Sequence, residues 1–245
     1  MIDRQRRLAA SREEVRQLAG QDVSEVTPSR RDFALYVATQ KQDLAVIARL
    51  SRTFDIETTA QLVEHARTCD DAEVAALAVA SAVDGCSIDD LAAIANATSA
   101  PILRDALTIH PSQLYFARLH GADAALLPAA DLDGSALHEL VAVATSLHMA
   151  AVIEASSDVD VEVALRLSRV LIGLRCTDDA GALDVERTRA LAQRIPPQCP
   201  VIALPEVRTP AECEALRGSC DAVMVGAALR QGGDVGAALR RLLGC

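Results

Sequence analysis

Val201-Ile202-Ala203-Leu204, then Thr209-Pro210, then Gly218, then Ala222-Val223-Met224-Val225 is the stretch that decides the fold. Two short, continuous apolar runs flank a helical segment from Pro210 to Arg217. Thr209 is suited to cap that helix, proline to its first turn and Gly218 to its stop. Runs of four or five apolar residues without alternation suit strands buried on both faces, the condition of a parallel sheet. The unit therefore reads strand, helix, parallel strand.

The same unit recurs along the chain. Apolar runs at 44–48, 74–79, 101–103, 122–127, 150–153, 170–174, 201–204 and 222–225 precede helical patterns at 57–67, 89–97, 113–120, 135–147, 160–168, 185–194, 210–217 and 235–243. Eight units of roughly 20 to 30 residues predict an α/β fold of the (β/α)8 type, a TIM barrel, in one domain over 1–245. A doubly wound sheet competes, and the even spacing favours the barrel. Residues 3–18 read as an additional, solvent-facing amphipathic helix with Leu8, Val15 and Leu18 as its apolar positions. A polar stretch follows to Asp32, making an N-terminal extension of about 32 residues.

Composition narrows the function. The 245 residues carry a net charge of −10, which disfavours a nucleic-acid groove, and no apolar run approaches a membrane span. No apolar segment follows the basic N-terminus, so a cytoplasmic protein without a signal peptide is expected. Seven cysteines, none in a C-x-x-C pair, are expected to be reduced thiols rather than disulfides or zinc ligands. No cofactor and no metal is implied. Aromatic residues make up 2%, so stacking cannot dominate recognition. Lysine occurs once, at Lys41, ahead of the first strand and so expected at the end of the barrel away from the chemistry.

Barrel enzymes act where strands end at their C-terminal side. Those ends carry Arg49 and Ser51, Asp84, Arg104-Asp105, Glu154, Arg175-Cys176, Pro205-Glu206 and Gly226. Several segments resemble the indole-3-glycerol-phosphate synthase family. They are Pro101-Ile102-Leu103-Arg104 with Pro111 and Gln113, Gly121-Ala122-Asp123-Ala124, Ile153-Glu154, Ile172-Gly173, Arg208-Thr209-Pro210, and Asp221 to Leu229 followed by Gly236 to Arg240. The resemblance covers nearly the whole chain and includes the helix before the first strand. It implies a barrel that closes an indole ring on a carboxyphenylamino-deoxyribulose phosphate with loss of carbon dioxide and water. That reaction needs a strong general acid, a carboxylate and a phosphate cradle near the last two strands.

The pattern is broken at the strand ends. The resemblance implies Glu-x-Lys where Arg49 and Ser51 stand, a catalytic lysine at Asp105, an Asn at Arg175, and Glu-Ser-Gly at Leu204-Pro205-Glu206. Glu154 keeps its expected place, with Arg104 and Gly226 as scaffold matches. An aspartate is an anion at neutral pH and cannot replace a lysinium acid. Pro205 removes a backbone donor, and Glu206 sets a negative charge where the phosphate would lie.

Two readings of the residues stay open. Arg49 with Asp105 and Arg175 with Glu154 either plug the mouth as ion pairs, or Arg49, Ser51, Arg104, Arg175, Glu206 and Gly226 line a pocket for a small anion, with Asp105 and Glu154 as acid and base. Arg104 could instead pack structurally behind its strand. His110 is read as a solvated loop histidine before a general base, and Cys176 as an inert core thiol before a nucleophile. The functional expectation is a diverged synthase-like barrel without normal synthase activity. An active synthase of tryptophan biosynthesis with unusual residues and a non-catalytic partner of another enzyme are the alternatives.

Overall fold

The computed structural model describes residues 2–20, 26–39, 44–52, 56, 58–80 and 85–244, with side chains from residue 4 onward apart from 39. The expected placements of Lys41 and Asp84 fall outside these residues. Eight parallel strands close in sequence order: β1 (Ala45–Leu50), β2 (Ala76–Ala80), β3 (Ile102–Leu107), β4 (Ala124–Pro128), β5 (Ala150–Ala155), β6 (Val170–Leu174), β7 (Val201–Ala203) and β8 (Ala222–Val225). β8 returns to pair with β1, Ala45 beside Ala222 and Ala48 beside Val225. The TIM barrel read from the apolar runs is thus the observed fold.

Before β1 come α1 (Ile2–Gln17) and α2 (Phe33–Thr39). Each of the first seven strands is followed by a helix: α3 (Thr59–Asp71), α4 (Ile88–Ala97), α5 (Pro111–Leu119), α6 (Gly134–Ser146), α7 (Asp158–Ala164), α8 (Val185–Ala192) and α9 (Pro210–Leu216). After β8 a short 3-10 turn (Ala227–Arg230) leads to α10 (Val235–Leu243). Helix starts follow side-chain chemistry. Thr58, Ser87, His110 and Thr209 each cap a helix reciprocally with the residue three positions on.

The alternation of side chains along each strand sorts the core into two shells. Ile47, Leu103, Val152, Leu171, Ile202 and Met224 point inward and fill the barrel. Val46, Ile102, Ile153, Ile172 and Val223 point outward under the helices. α2 was not legible in the polar stretch before it. Phe33 and Val37, one helical turn apart, join the inner shell together with Ala45 and Ala75 from the strand starts, so α2 closes the N-terminal end of the barrel.

One glycine shows how tightly the layers are set. Gly121, in the turn between α5 and β4, has φ +98°, and an added Cβ would lie 2.3 Å from Ala95 Cβ. Gly218, after α9, has φ +70° but nothing within 4 Å. Gly121→Ala should therefore cost about 2–4 kcal/mol in urea unfolding, against about 1 kcal/mol for Gly218→Ala, which pays only the backbone term.

Candidate functional site: an ion-pair network in the barrel mouth

Counting inward positions along β1, β3, β5 and β6 carries each of these four interior rows up to a charged residue at the C-terminal end. Arg49 follows Ile47 on β1, Asp105 follows Leu103 on β3, Glu154 follows Val152 on β5 and Arg175 follows Gly173 just past β6. Glu206 stands two residues past Leu204, beyond β7, and Gly226 directly follows β8. The strand register therefore delivers two cations and three anions to one small space, and their ordering decides the site.

Asp105, 4% exposed, lies at the centre. Arg49 Nε donates to Asp105 Oδ2 at 2.8 Å, and Arg175 Nη2 donates to Oδ1 at 3.2 Å. Arg175 Nε donates to Glu154 Oε2 at 2.7 Å, and Arg49 Nη1 donates to Glu206 Oε1 at 3.1 Å. A third cation arrives from outside the barrel. Arg7 of α1 is buried, donates to both oxygens of Glu154 at 3.0 Å and stands 3.7 Å from Asp105 Oδ1. Three guanidinium groups and three carboxylates thus alternate, with formal charges that cancel.

Burial alone would push the carboxyls of Asp105 and Glu154 up. The guanidinium groups of Arg49, Arg175 and Arg7 outweigh it at Asp105, and those of Arg175 and Arg7 at Glu154, so both stay below the usual carboxylate range. At Arg175 burial pulls down, while Glu154 and Asp105 hold the cation in place and raise its value. The pairing of Arg49 with Asp105 read from the sequence is thus an observed contact, and the two share the axis at the same end of the barrel. The ion-pair arrangement is the one the structure contains.

Glu206 has a second role in the geometry. Its Oε2 accepts the Ala227 N–H at 3.1 Å, the first donor of the 3-10 turn after β8. Its carboxylate packs on Gly226 so closely that a Cβ there would lie 2.6 Å from Oε1. An internal anion therefore takes up a backbone donor at a helical N-terminus, a place where barrels commonly hold phosphate.

The remaining sequence candidates fall elsewhere. Arg104 lies on the other face of β3, leaves the axis and donates to both oxygens of Glu14 on α1, at 2.5 and 2.7 Å. Its Nη1 is buried without a partner, as is Thr108 Oγ1 nearby in sequence. Ser51 is half-buried directly after β1 and joins none of the bonds of the network among the described residues. His110 is exposed and serves as the cap of α5, its Nδ1 accepting the Ser112 N–H at 3.2 Å. Cys176 is fully buried and burial pushes its thiol up, against the needs of a nucleophile.

The reading of the N-terminal helix as solvent-facing is corrected, although two of its apolar positions, Leu8 and Leu18, do pack inward. Arg7, Ser11 and Leu18 are buried, and Glu14 is half-buried, at intervals of four, three and four residues. This face crosses the C-terminal ends of β3 to β5. Ser11 Oγ donates to the Leu107 carbonyl at 2.6 Å, and Arg4 donates to Asp131 beyond β4. Buried Gln113, at the start of α5, donates to Ser11 Oγ and to Glu14. A search for apolar periodicity could not find a helix whose docking stripe is mainly polar. The i, i+4, i+7 spacing of Arg7, Ser11 and Glu14 is the signal that could have found it.

Two outcomes follow for Asp105. Asp105→Ala should cost about 3 kcal/mol in chemical denaturation, because three cations lose a shared buried partner. Combined with Arg49→Ala, part of that loss should return; a strictly additive double variant would contradict coupling between the two. Asp105 and Glu154 titrate below their unfolded values, so their contribution is complete above about pH 5 and fades as pH falls through about 4 toward the native values. Stability of the wild type should therefore drop through that acid range, with a shallower slope in the Arg49→Ala/Asp105→Ala variant.

The family model for Indole-3-glycerol phosphate synthase matches residues 1–242. An indole-3-glycerol phosphate synthase of Mycobacterium leprae (strain Br4923) is 38% identical over 162 residues, covering 64% of this chain and 58% of the relative. One from Dehalococcoides mccartyi (strain BAV1 of that species) is 35% identical over 162 residues, covering 64% and 62%. The chain thus spans about six tenths of the length of these curated relatives. Among solved structures, 3-hexulose-6-phosphate synthase from Salmonella typhimurium aligns with a TM-score of 0.65 at 13% identity, over 82% of this chain and 97% of that one. A tryptophan synthase alpha-subunit from Pyrococcus furiosus aligns at 0.59 and 16%, over 82% and 98%. These two likenesses concern the barrel alone. The family match extends from α1 into the last turn of α10, and on that ground the chain belongs to the indole-3-glycerol phosphate synthase family.

Proposed function

We propose that this chain is a diverged member of its family, one that does not carry out the synthase reaction at an ordinary rate because its own side chains occupy the mouth. The observation that carries this reading is the alternation of Arg7, Arg49 and Arg175 with Asp105, Glu154 and Glu206. Ring closure with loss of water needs a proton donor held ready at the third strand end. Asp105 stands there as an anion that only accepts hydrogen bonds. A carboxylate base needs free lone pairs and proton affinity, whereas Glu154 is bound by two arginines and its proton affinity is lowered. A substrate phosphate needs donors near β7 and β8, and Glu206 already accepts one. In place of that reaction, the reading assigns the mouth a small anion, bound by Arg49 and Arg175 when it displaces Glu206.

A second reading, an active synthase with unusual residues, draws support from the synthases at 35–38% identity and from Glu154, which keeps the place the resemblance gives it. On that reading the substrate must release Glu206 from Ala227 and open the Arg7 contact before chemistry begins.

Turnover of the carboxyphenylamino-deoxyribulose phosphate, measured beside an ordinary synthase, separates the two. The diverged reading expects less than about one tenth of the ordinary kcat/KM, and a rate within about tenfold establishes the second. Asp105→Lys alone should not restore turnover, since Arg49 and Arg175 would then face a third cation while Glu206 still holds the cradle. A large gain from that one change would mean that the rest of the pocket is intact.

A further inference from the structure

A second place on the molecule gathers unspent positive charge, at the end of the barrel opposite the mouth. A cavity of about 470 Å³ opens there beside the starts of β5 and β6, within the size range of small-molecule sites. Phe33 and Leu171, both buried, lie along it as apolar lining. Its charged residues are Arg30, Arg31, Asp32, His148 and Arg169. Arg31 is committed to Asp123 at 2.8 Å, and Asp32 accepts the Leu35 N–H at 3.0 Å as α2 begins. The side chains of Arg30, His148 and Arg169 are exposed and make no hydrogen bond or ion pair with any described residue.

The backbone presents these three in an organised way. Ser29 N–H donates to the Leu147 carbonyl at 2.8 Å, which ties the residue before Arg30 to the residue before His148. Ser29 Oγ donates to buried Asp123 at 2.6 Å, anchoring the same segment to the barrel floor. His148 (φ 53°) and Arg169 (φ 60°) both adopt the left-handed conformation. The equivalent turns after α5 and α9 use Gly121 and Gly218, which adopt it without a steric penalty. Glu73, the other non-glycine of this kind among the described residues, borders a different cavity of about 910 Å³. Two strained turns thus carry a guanidinium and an imidazole on the border of one pocket, and strain of this sort collects where side chains have work to do.

We propose that this cavity is a binding site for a small organic phosphate, with Arg30 and Arg169 meeting the dianionic head, His148 donating beside them, and the apolar lining receiving the body. Guanidinium groups suit phosphate oxygens in geometry and charge. On a chain of net charge −10 such a site stands out against a surface that repels anions. The site lies at the far end of the strands from Arg49 and Arg175, so it is independent of the reading given to the mouth.

Phenyl phosphate and benzoate, titrated into the full chain by calorimetry at fixed ionic strength, test this. They share an apolar body and differ in the charge of the head. Phenyl phosphate should bind saturably at one site, with benzoate at least about fivefold weaker. Arg30→Gln/Arg169→Gln should weaken phenyl phosphate by about tenfold or more. Arg169→Gly, which the local backbone favours and which should fold at least as well, should show a loss in the same direction. Amide shifts on titration should fall within 29–34, 146–150 and 169–171. Lack of saturable binding, affinity unchanged in the variants, or benzoate binding as tightly as phenyl phosphate would each overturn the proposal.

Discussion

Asp105 is a carboxylate taken almost wholly out of water at the end of a barrel strand, and everything around the mouth is arranged by what that requires. A lone buried carboxylate would cost several kcal/mol and would protonate rather than stay charged. Here Arg49 and Arg175 reach it from β1 and from the end of β6, and Arg7 stands just beyond hydrogen-bond distance. Those three cations have to be balanced in turn, and Glu154 and Glu206 do so. No member can be removed without leaving another short of a partner.

That demand explains the placement of α1. A helix with little apolar surface has a weak hydrophobic reason to dock, since burial gains scale with apolar area. α1 docks through charge and hydrogen bonds, Arg7 to Glu154, Ser11 to the Leu107 carbonyl and Glu14 to Arg104. Such contacts exchange with water more readily than a packed aliphatic face does. The cover of the mouth is therefore attached by bonds that a competing ion could replace, while the barrel beneath is held by a mainly aliphatic core.

The two ends of the barrel contrast in how they use arginine. At the C-terminal end every guanidinium of the network is matched, and the site is neutral within itself. At the N-terminal end Arg31 is matched by Asp123, but Arg30 and Arg169 are not matched among the described residues. Matched charges set structure and raise the threshold for a ligand; unmatched ones in a concave setting lower it. The fold provides both conditions with one residue type.

The barrel was legible in the sequence because each strand is a run of apolar residues with Thr, Ser, Asp, Pro or Gly marking the helix ends, all local signals. The charges at the strand ends were legible too: alternation from Ile47 places Arg49 inward, and alternation from Leu103 does the same for Asp105. Their partners were not all legible. Arg49 with Asp105 could be read by superposing strand ends, but Arg7 lies 98 residues from Asp105 and 147 from Glu154 in the chain. Local periodicity carries no information over that distance, and the few apolar positions of α1 were too sparse to report a docked face that is mainly polar. Of the two readings of Arg104, a mouth residue or one packed behind its strand, the structure has the second, with Glu14 of α1 as its partner. α2 was hidden for a related reason, since seven residues carry too short a pattern and only the open end of a closed barrel gives Phe33 and Val37 something to cover. The sequence by itself determined the strands, their order and the residues at their tips. Which charges meet, and which helix lies over them, was decided by closure of the barrel, because only closure brings β1, β3, β5 and the ends of β6 and β7 around one axis and sets a buried charge that α1 must help to balance.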